Sequence, residues 1–153
     1  MNRRDFLLAA TALPYEITEG ERLQVTSRVL GWTILRDCEA KPGAMETGMV
    51  MVRVQRPVPP ADRPGHLAAS LRSFRPFHFT GLPAEEAVQV AGLPGAAIET
   101  RAMGIGSHRP VMVRAVCLYG RDRSFLIIGS APEEEWAAIR PDVLRVIERF
   151  RPG

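Results

Sequence analysis

The sequence predicts an α+β fold: a single-domain α/β/α sandwich whose largely antiparallel sheet has about six to seven strands. Three observations support this prediction. Residues 48–56 alternate valines with other side chains, as a strand with one wholly apolar face does. Residues 62–74 repeat apolar side chains at helical spacing, and residues 132–150 carry a second apolar helical stripe. The predicted architecture therefore has one mid-chain helix and one C-terminal helix beside the sheet.

The composition is that of an ordinary folded domain. The chain has 153 residues, 46% of them hydrophobic and 24% charged, which fits one globular domain and excludes the disordered and fibrous classes. The net charge of +3 rests almost wholly on arginine, since Lys41 is the only lysine. Because the arginines are scattered along the sequence and do not gather on one predicted helix, we expect no nucleic-acid binding.

The amino terminus, MNRRDFLLAATAL, resembles a twin-arginine export signal, with Arg3 and Arg4 before an apolar run. The apolar run ends at Pro14 and is short for a signal core, so the alternative is a flexible segment. We therefore divide the chain into a signal-like or flexible segment, 1–14, and a single domain, 15–153. Export would place the protein in the periplasm; without export it stays in the cytoplasm. No later segment reaches the ~20 apolar residues of a membrane span, so we expect a soluble domain.

The first half of the domain predicts three strands and a helix. Two short strands are expected at 21–30 and 31–38, where β-branched residues are frequent, and the clearest strand at 48–56. Prolines then end the third strand. Asp62 is the expected N-cap of the helix that follows.

The tripeptide Gly-Leu-Pro occurs twice between residues 81 and 94, on either side of a short predicted strand at 85–91. In Leu93-Pro94-Gly95 the proline suits the second position of a type II turn and the glycine its third position. The sequence therefore predicts a hairpin turn at these residues, leading into a strand at 96–103. A phosphate-binding loop would need a lysine followed by serine or threonine, which is not present here.

The last part of the sequence, from residue 111 onward, predicts a hairpin followed by a helix. Strands at 111–119 and 124–130 flank a loop at 120–123, and the second of these strands is apolar on both faces, as a central strand is. The closing helix begins with three glutamates and ends with arginines, which complements the helix dipole. Pro141 is expected to kink or split this helix.

No catalytic, cofactor or metal site emerges from the residue pattern. His66 and His78 have no second ligand at a suitable spacing. Ser107 lies beside His108, but adjacent side chains of an extended chain point apart and no carboxylate is near in sequence to orient the imidazole. We therefore expect no enzyme activity from these residues.

Cys38 and Cys117 lie 79 positions apart, which excludes a CxxC redox motif and a four-cysteine zinc site. Three interpretations remain. Both cysteines are buried apolar residues, or they form a disulfide in an exported protein, or one of them is a reactive thiol. In the last case Cys38, beside Arg36 and Asp37, is the candidate nucleophile of a thiol-dependent enzyme.

The order of these elements resembles the PsbP-like α/β/α sandwich superfamily, particularly its bacterial DcrB-like branch. The resemblance rests on Gly31 and Trp32, on the stretch VAGLPG at 90–95, and on the final strand and helix at 125–151. The start of the domain, near Glu19, is similar to Eag-type secretion chaperones, a more distant relative. Such domains are mostly non-catalytic, so the resemblance implies a bacterial accessory or binding role.

The residues themselves favour a protein or peptide partner, held on a sheet face or in a groove. A catalytic constellation is lacking, and the chain is rich in methionine, a soft side chain that suits adaptable surfaces. Three alternatives stay open: a cytoplasmic Eag-like chaperone for secreted effectors, a thiol-dependent enzyme using Cys38, and an exported structural protein of the cell envelope. The methionines that suggest an adaptable surface are Met45, Met49, Met51, Met103 and Met112.

Overall fold

The computed structural model describes residues 13–44 and 46–153. Arg3 and Arg4, and with them the predicted export signal, lie outside the described residues, and so does Met45. The division of the chain at residue 14 therefore stays a prediction.

The described residues form ten strands, and all pairings between them are antiparallel. The main sheet has eight strands in the order β2-β3-β4-β9-β8-β7-β5, with β6 also paired to β7, while β1 and β10 form a separate pair. The main sheet thus has one strand more than the upper end of the prediction. The strands are β1 (Tyr15–Glu16), β2 (Leu23–Val29), β3 (Trp32–Asp37), β4 (Met49–Gln55), β5 (Phe77–His78), β6 (Glu86–Val90), β7 (Leu93–Gly104), β8 (Pro110–Tyr119), β9 (Ser124–Pro132) and β10 (Arg151–Pro152).

Two α-helices cover opposite faces of this sheet: α1 (His66–Arg72) and α2 (Trp136–Glu148). The strands supply both faces because successive side chains point to opposite sides. On β8, Val116 and Leu118 belong to the core beneath α2, whereas Val113 and Ala115 belong to the core beneath α1. The predicted α+β sandwich with a helix layer on each side is confirmed.

The strand β9 lies at the centre, between β4 and β8, and eight of its nine residues are buried. Its apolar sequence, SFLIIGSAP, reflects burial on both faces. A Cβ at Gly129 would collide with Val143, so the glycine lets α2 pack close to the sheet. The prediction of a central strand at 124–130 is confirmed.

The helix boundaries differ from the prediction at one end of α1. Asp62 lies in a separate 3-10 turn (Pro60–Asp62), and Gly65, with φ of 80°, is the N-cap residue.

Helix α2 runs without a break through Pro141, so the proline does not split it. The carbonyl of Ala137 that loses its donor lies on the same exposed side of the helix as Pro141, where water can satisfy it.

The hairpin turn predicted at Leu93-Pro94-Gly95 is wrong in position. These three residues are the start of β7, and the turn is formed by Ala91 and Gly92, with φ of 52° and 80°. Two successive positive φ angles define the tight turn that matches the twist of a two-residue hairpin. Gly95 serves packing instead, because a Cβ there would collide with the carbonyl oxygen of Cys117 on β8.

Candidate functional site

A cavity of about 360 Å³ lies on the α1 face of the sheet. Helix α1 has seven residues and contacts β7 and β8, so it leaves the β3 and β4 part of this face uncovered. The cavity lies between that uncovered part, the segment leading to β5, and the loop that joins β7 to β8. The residues that line it are Ile34, Arg36, Glu46, Thr47, Met49, Met51, Pro76, Phe77, Gly106, Ser107, Val111, Ser130 and Ala131.

The apolar wall of the cavity follows from the alternation of β4. Val50 and Val52 point to the α2 core, so Met49 and Met51 point to the α1 side, where both are half-buried. Ile34 pairs with Met51 on the neighbouring strand and therefore shares its face. Phe77, also half-buried, closes the wall from the α1 side. Two of the five methionines singled out in the sequence thus line this cavity.

The polar end of the cavity is built from Glu46 and the loop between β7 and β8. The hydroxyl of Ser107 donates a hydrogen bond to Oε1 of Glu46 and accepts one, at 3.2 Å, from the backbone N–H of Arg109. A Cβ at Gly104 would collide with the Glu46 carboxylate, so the glycine makes room for it. The loop therefore fixes the carboxylate at the cavity.

Two buried oxygen atoms beside the cavity have no hydrogen-bond partner within the described part of the chain. They are Oε2 of Glu46 and Oγ1 of Thr47. Buried polar groups in folded proteins are almost always paired, so such atoms need an explanation. Both residues line the cavity, and a side-chain rotation toward it would let a bound donor satisfy these two oxygens.

Ser107 and His108 do not form a catalytic pair. Ser107 is bonded to a carboxylate and not to an imidazole, while His108 is exposed and has φ of 56°. No group of three or more His, Cys, Asp or Glu side chains that could hold a metal ion occurs among residues 13–44 and 46–153. The bond from Ser107 to Glu46, 61 residues away, was missed in the sequence because no local pattern joins them.

The two cysteines lie far apart, and both are free thiols. The strand register aligns Cys117 with Leu126, Leu126 with Arg53, and Arg53 with Trp32. Trp32 is therefore the residue of β3 that lies level with Cys117, three strands away or roughly 14 Å across the sheet. Cys38 lies six residues beyond Trp32, which adds roughly 20 Å along the strand direction. A disulfide needs Cα atoms within about 7 Å. The disulfide interpretation is therefore wrong for this fold.

The interpretation of two buried cysteines is correct for Cys117 alone. Cys117 is fully buried in the core beneath α1, and burial raises the pKa of its thiol to about 12. Cys38 is exposed, directly after β3. Its neighbour Asp37 forms an ion pair with Arg22, with Nε of Arg22 at 3.1 Å from Oδ1. Cys38 is not among the residues that line the cavity.

The other two methionines that the structure describes, of the five named from the sequence, lie away from this cavity. Met103 and Met112 are half-buried and alternate with residues of the α1 core, which places them on the α2 side of the sheet. No α-helix of the described residues has the length and apolarity that crossing a lipid bilayer requires.

Comparison with known proteins identifies a class of fold. No family model matches the chain, and no curated protein matches it. Several solved structures match it. LpqN of Mycobacterium tuberculosis, a protein involved in cell envelope biogenesis, has a TM-score of 0.55 at 12% identity, over 99% of this chain and 96% of LpqN. A protein of unknown function from Pseudomonas aeruginosa has a TM-score of 0.57 at 12% identity, over 83% and 86% of the two chains.

A protein from Bacteroides thetaiotaomicron also has a TM-score of 0.57, at 8% identity, and the match covers 92% of this chain but 45% of that one. This chain thus spans less than half of that protein. The solution structure of PsbP (CyanoP) from Synechocystis matches with a TM-score of 0.46 at 13% identity. The matches to LpqN and to the Pseudomonas aeruginosa protein show that this chain shares their fold, whereas the PsbP-like superfamily, its DcrB-like branch and the Eag relationship stay predictions.

Proposed function

We propose that this protein is a non-catalytic binding domain that holds a short apolar segment of a peptide or protein partner in the cavity on the α1 face. The observation that carries the proposal is the uncovered apolar wall of Ile34, Met49, Met51 and Phe77. Methionine side chains are flexible and polarizable, so such a wall can adapt to different apolar side chains.

The size of the cavity fits a short segment. Ligand sites commonly enclose roughly 300–1,000 Å³, and the cavity of about 360 Å³ is near the lower limit. It therefore accommodates a few side chains of a partner. After a side-chain rotation that brings them to the cavity surface, the unpaired Oε2 of Glu46 and Oγ1 of Thr47 would accept hydrogen bonds from N–H groups of the segment.

The polar groups of the cavity favour binding over catalysis. The one hydroxyl fixed by a carboxylate, Ser107, lacks the imidazole that would remove its proton. Cys38 is exposed and does not itself line the cavity, so the cavity offers no thiol to a bound segment. A chaperone for secreted effectors is a special case of the proposal, in which the bound segment is an apolar helix of the effector.

A site-specific photo-crosslinking experiment tests this proposal. A benzoylphenylalanine replaces Phe77, which lines the cavity, in the full-length protein produced in its native cells. A matched protein carries the probe in place of Met112, on the α2 side of the sheet. We expect a discrete crosslinked partner from position 77 and none from position 112.

A cavity-filling variant completes the experiment. Met51→Trp adds volume where the cavity has space, so the domain should fold while the cavity closes. We expect the product at position 77 to disappear in this variant. A product that persists in Met51→Trp, or equal products from both probe positions, would contradict the proposal.

A further inference from the structure

One end of the sheet gathers arginines that are scattered in the sequence. Trp32 pairs with Arg53, Arg53 with Leu126, and Gln55 with Ser124, so three segments lie at the same end of the sheet: 28–33, 53–56 and 120–123. We call this region the arginine end. Its segments contain five arginines and a single acid, Asp122: the arginines are Arg28, Arg53, Arg56, Arg121 and Arg123.

Among residues 13–44 and 46–153, these arginines find no acidic partner. None of the five forms a salt bridge within the described part of the chain, in contrast to Arg22 and Arg140, which bind carboxylates elsewhere. Four of the five are exposed, and the guanidinium of Arg53 lies over the ring of Trp32, 5.4 Å from its centroid. The positive charge of the arginine end is therefore available to an external partner.

An apolar tip projects from the same end. Val29 and Leu30, in the turn between β2 and β3, are 51% and 88% exposed. Leu30 has φ of 52° and Gly31 has φ of 85°. A left-handed backbone is unfavourable for leucine, and asparagine or glycine would suit this turn better. Leu30 thus stabilises neither the turn nor the core, which points to a role outside the domain.

We propose that the arginine end docks onto an anionic membrane surface, with Leu30 and Val29 entering the headgroup region and the five arginines contacting lipid phosphates and carboxylates. Peripheral membrane binding needs two signals, a small apolar insertion and a basic patch, and both occur here together. Half-buried Trp32 is suited to the boundary between them. A nucleic acid or an acidic protein would match the arginines but would leave the exposed leucine without a partner.

Vesicle co-sedimentation tests this proposal with the full-length protein. The probes are vesicles of phosphatidylcholine alone and of phosphatidylcholine mixed with phosphatidylserine. We expect binding to the mixed vesicles only, and weaker binding at high salt. Leu30→Asn should reduce binding about tenfold through loss of the inserted side chain, while the turn itself becomes more favourable. Arg121→Gln with Arg123→Gln should reduce it about 25-fold, at roughly fivefold per arginine.

Matched controls separate this surface from general effects. Ala91→Asn makes the same type of change in the other two-residue turn. This turn lies at the same end of the sheet but carries only the methyl group of alanine, so the change should reduce binding far less than Leu30→Asn does. Arg72→Gln with Arg75→Gln removes the same charge near the opposite end of the sheet. Both arginines lie close in sequence to Phe77, which pairs with Gly104, the last residue of β7. The first twelve residues are kept in every variant, so any contribution from them is common to all.

Four results would overturn the proposal. Equal losses for the two arginine pairs would show a net-charge effect, and unchanged binding in Leu30→Asn would show that the tip does not insert. Equal binding to the two vesicle types would remove the role of anionic lipid. If single-stranded DNA or polyglutamate binds and the mixed vesicles do not, the partner is an acidic polymer and the membrane assignment is wrong.

Discussion

The carboxylate of Asp142, on α2, accepts the backbone N–H of Leu23, the first residue of β2, at 2.9 Å. It also accepts the N–H groups of Glu21 and Arg22, at 2.9 and 3.1 Å. Asp142 is only 5% exposed, and a Cβ at Gly20 would collide with it. One buried carboxylate therefore joins the C-terminal helix to the beginning of the sheet.

Replacing Asp142 by alanine should destabilise the protein by about 3 kcal/mol, because three backbone donors lose their acceptor in a partly buried site. Asp142→Asn keeps one acceptor oxygen and should lose less. Urea unfolding measures both. Glu148→Ala, at an exposed position of the same helix, is the control and should change the free energy of unfolding by less than about 0.5 kcal/mol. A small loss in Asp142→Ala would show that water replaces the carboxylate.

The ion pair of Asp37 and Arg22 predicts a pH dependence. Burial alone would raise the pKa of Asp37, but the hydrogen bonds from Arg22 and from the N–H of Glu39, with the charge of Arg22, hold it below its usual value. The unfolded chain then takes up the proton first as the pH falls. The stabilisation is therefore complete above about pH 4 and is lost as the pH falls further through the folded-state pKa.

Asp37→Asn should lower the free energy of unfolding at neutral pH by about 2 kcal/mol, since Arg22 is left beside a neutral group. It should also flatten the fall in stability below pH 4. Urea unfolding at several pH values measures both effects. Glu39→Gln, which alters an exposed partner of Arg22, is the control and should leave the curve nearly unchanged. If the free energy of unfolding of Asp37→Asn falls below pH 4 as steeply as that of the unchanged protein, the assignment to Asp37 is wrong.

Local patterns predicted the layers of this fold because the strands and helices keep their ideal periods. The alternation of residues 49–55 places valines under α2 and methionines on the opposite face, as the sequence indicates. The displaced turn shows the limit of such patterns. Pro94 and Gly95 resemble a type II turn, but the close approach of Cys117 is the reason for the glycine, and that contact depends on pairing with β8.

The candidate sites depend on contacts between distant parts of the chain. Glu46 lies between the strands predicted at 31–38 and 48–56, where the sequence predicts no element, and Ser107 reaches it across 61 residues. Likewise, Arg28 and Arg123 are 95 positions apart in the sequence, and only the register of β3, β4 and β9 brings their segments to one end. Composition and spacing therefore predicted scattered arginines where the structure has a basic surface.

The two thiols should differ strongly in reactivity. Cys38 is exposed, whereas Cys117 is fully buried with the pKa of its thiol raised to about 12. Iodoacetamide at pH 8 should therefore modify one thiol in the folded protein, and both after unfolding in urea. Intact mass measures the number of adducts. Cys38→Ser should give none in the folded state, and rapid modification of Cys117 in that variant would contradict its burial.

The turn between β6 and β7 provides a test of the corrected hairpin. Gly92→Ala places a Cβ on a residue with φ of 80° and should cost about 1 kcal/mol. Ala91→Asn should raise the free energy of unfolding by about 0.5 kcal/mol, because asparagine tolerates the left-handed region. Pro94→Ala is the control and should have a small effect, since Pro94 is an exposed strand residue and not part of the turn. Urea unfolding measures all three variants. If Pro94→Ala costs more than Gly92→Ala, the turn lies where the sequence pattern first indicated, and the register of β6 against β7 is wrong.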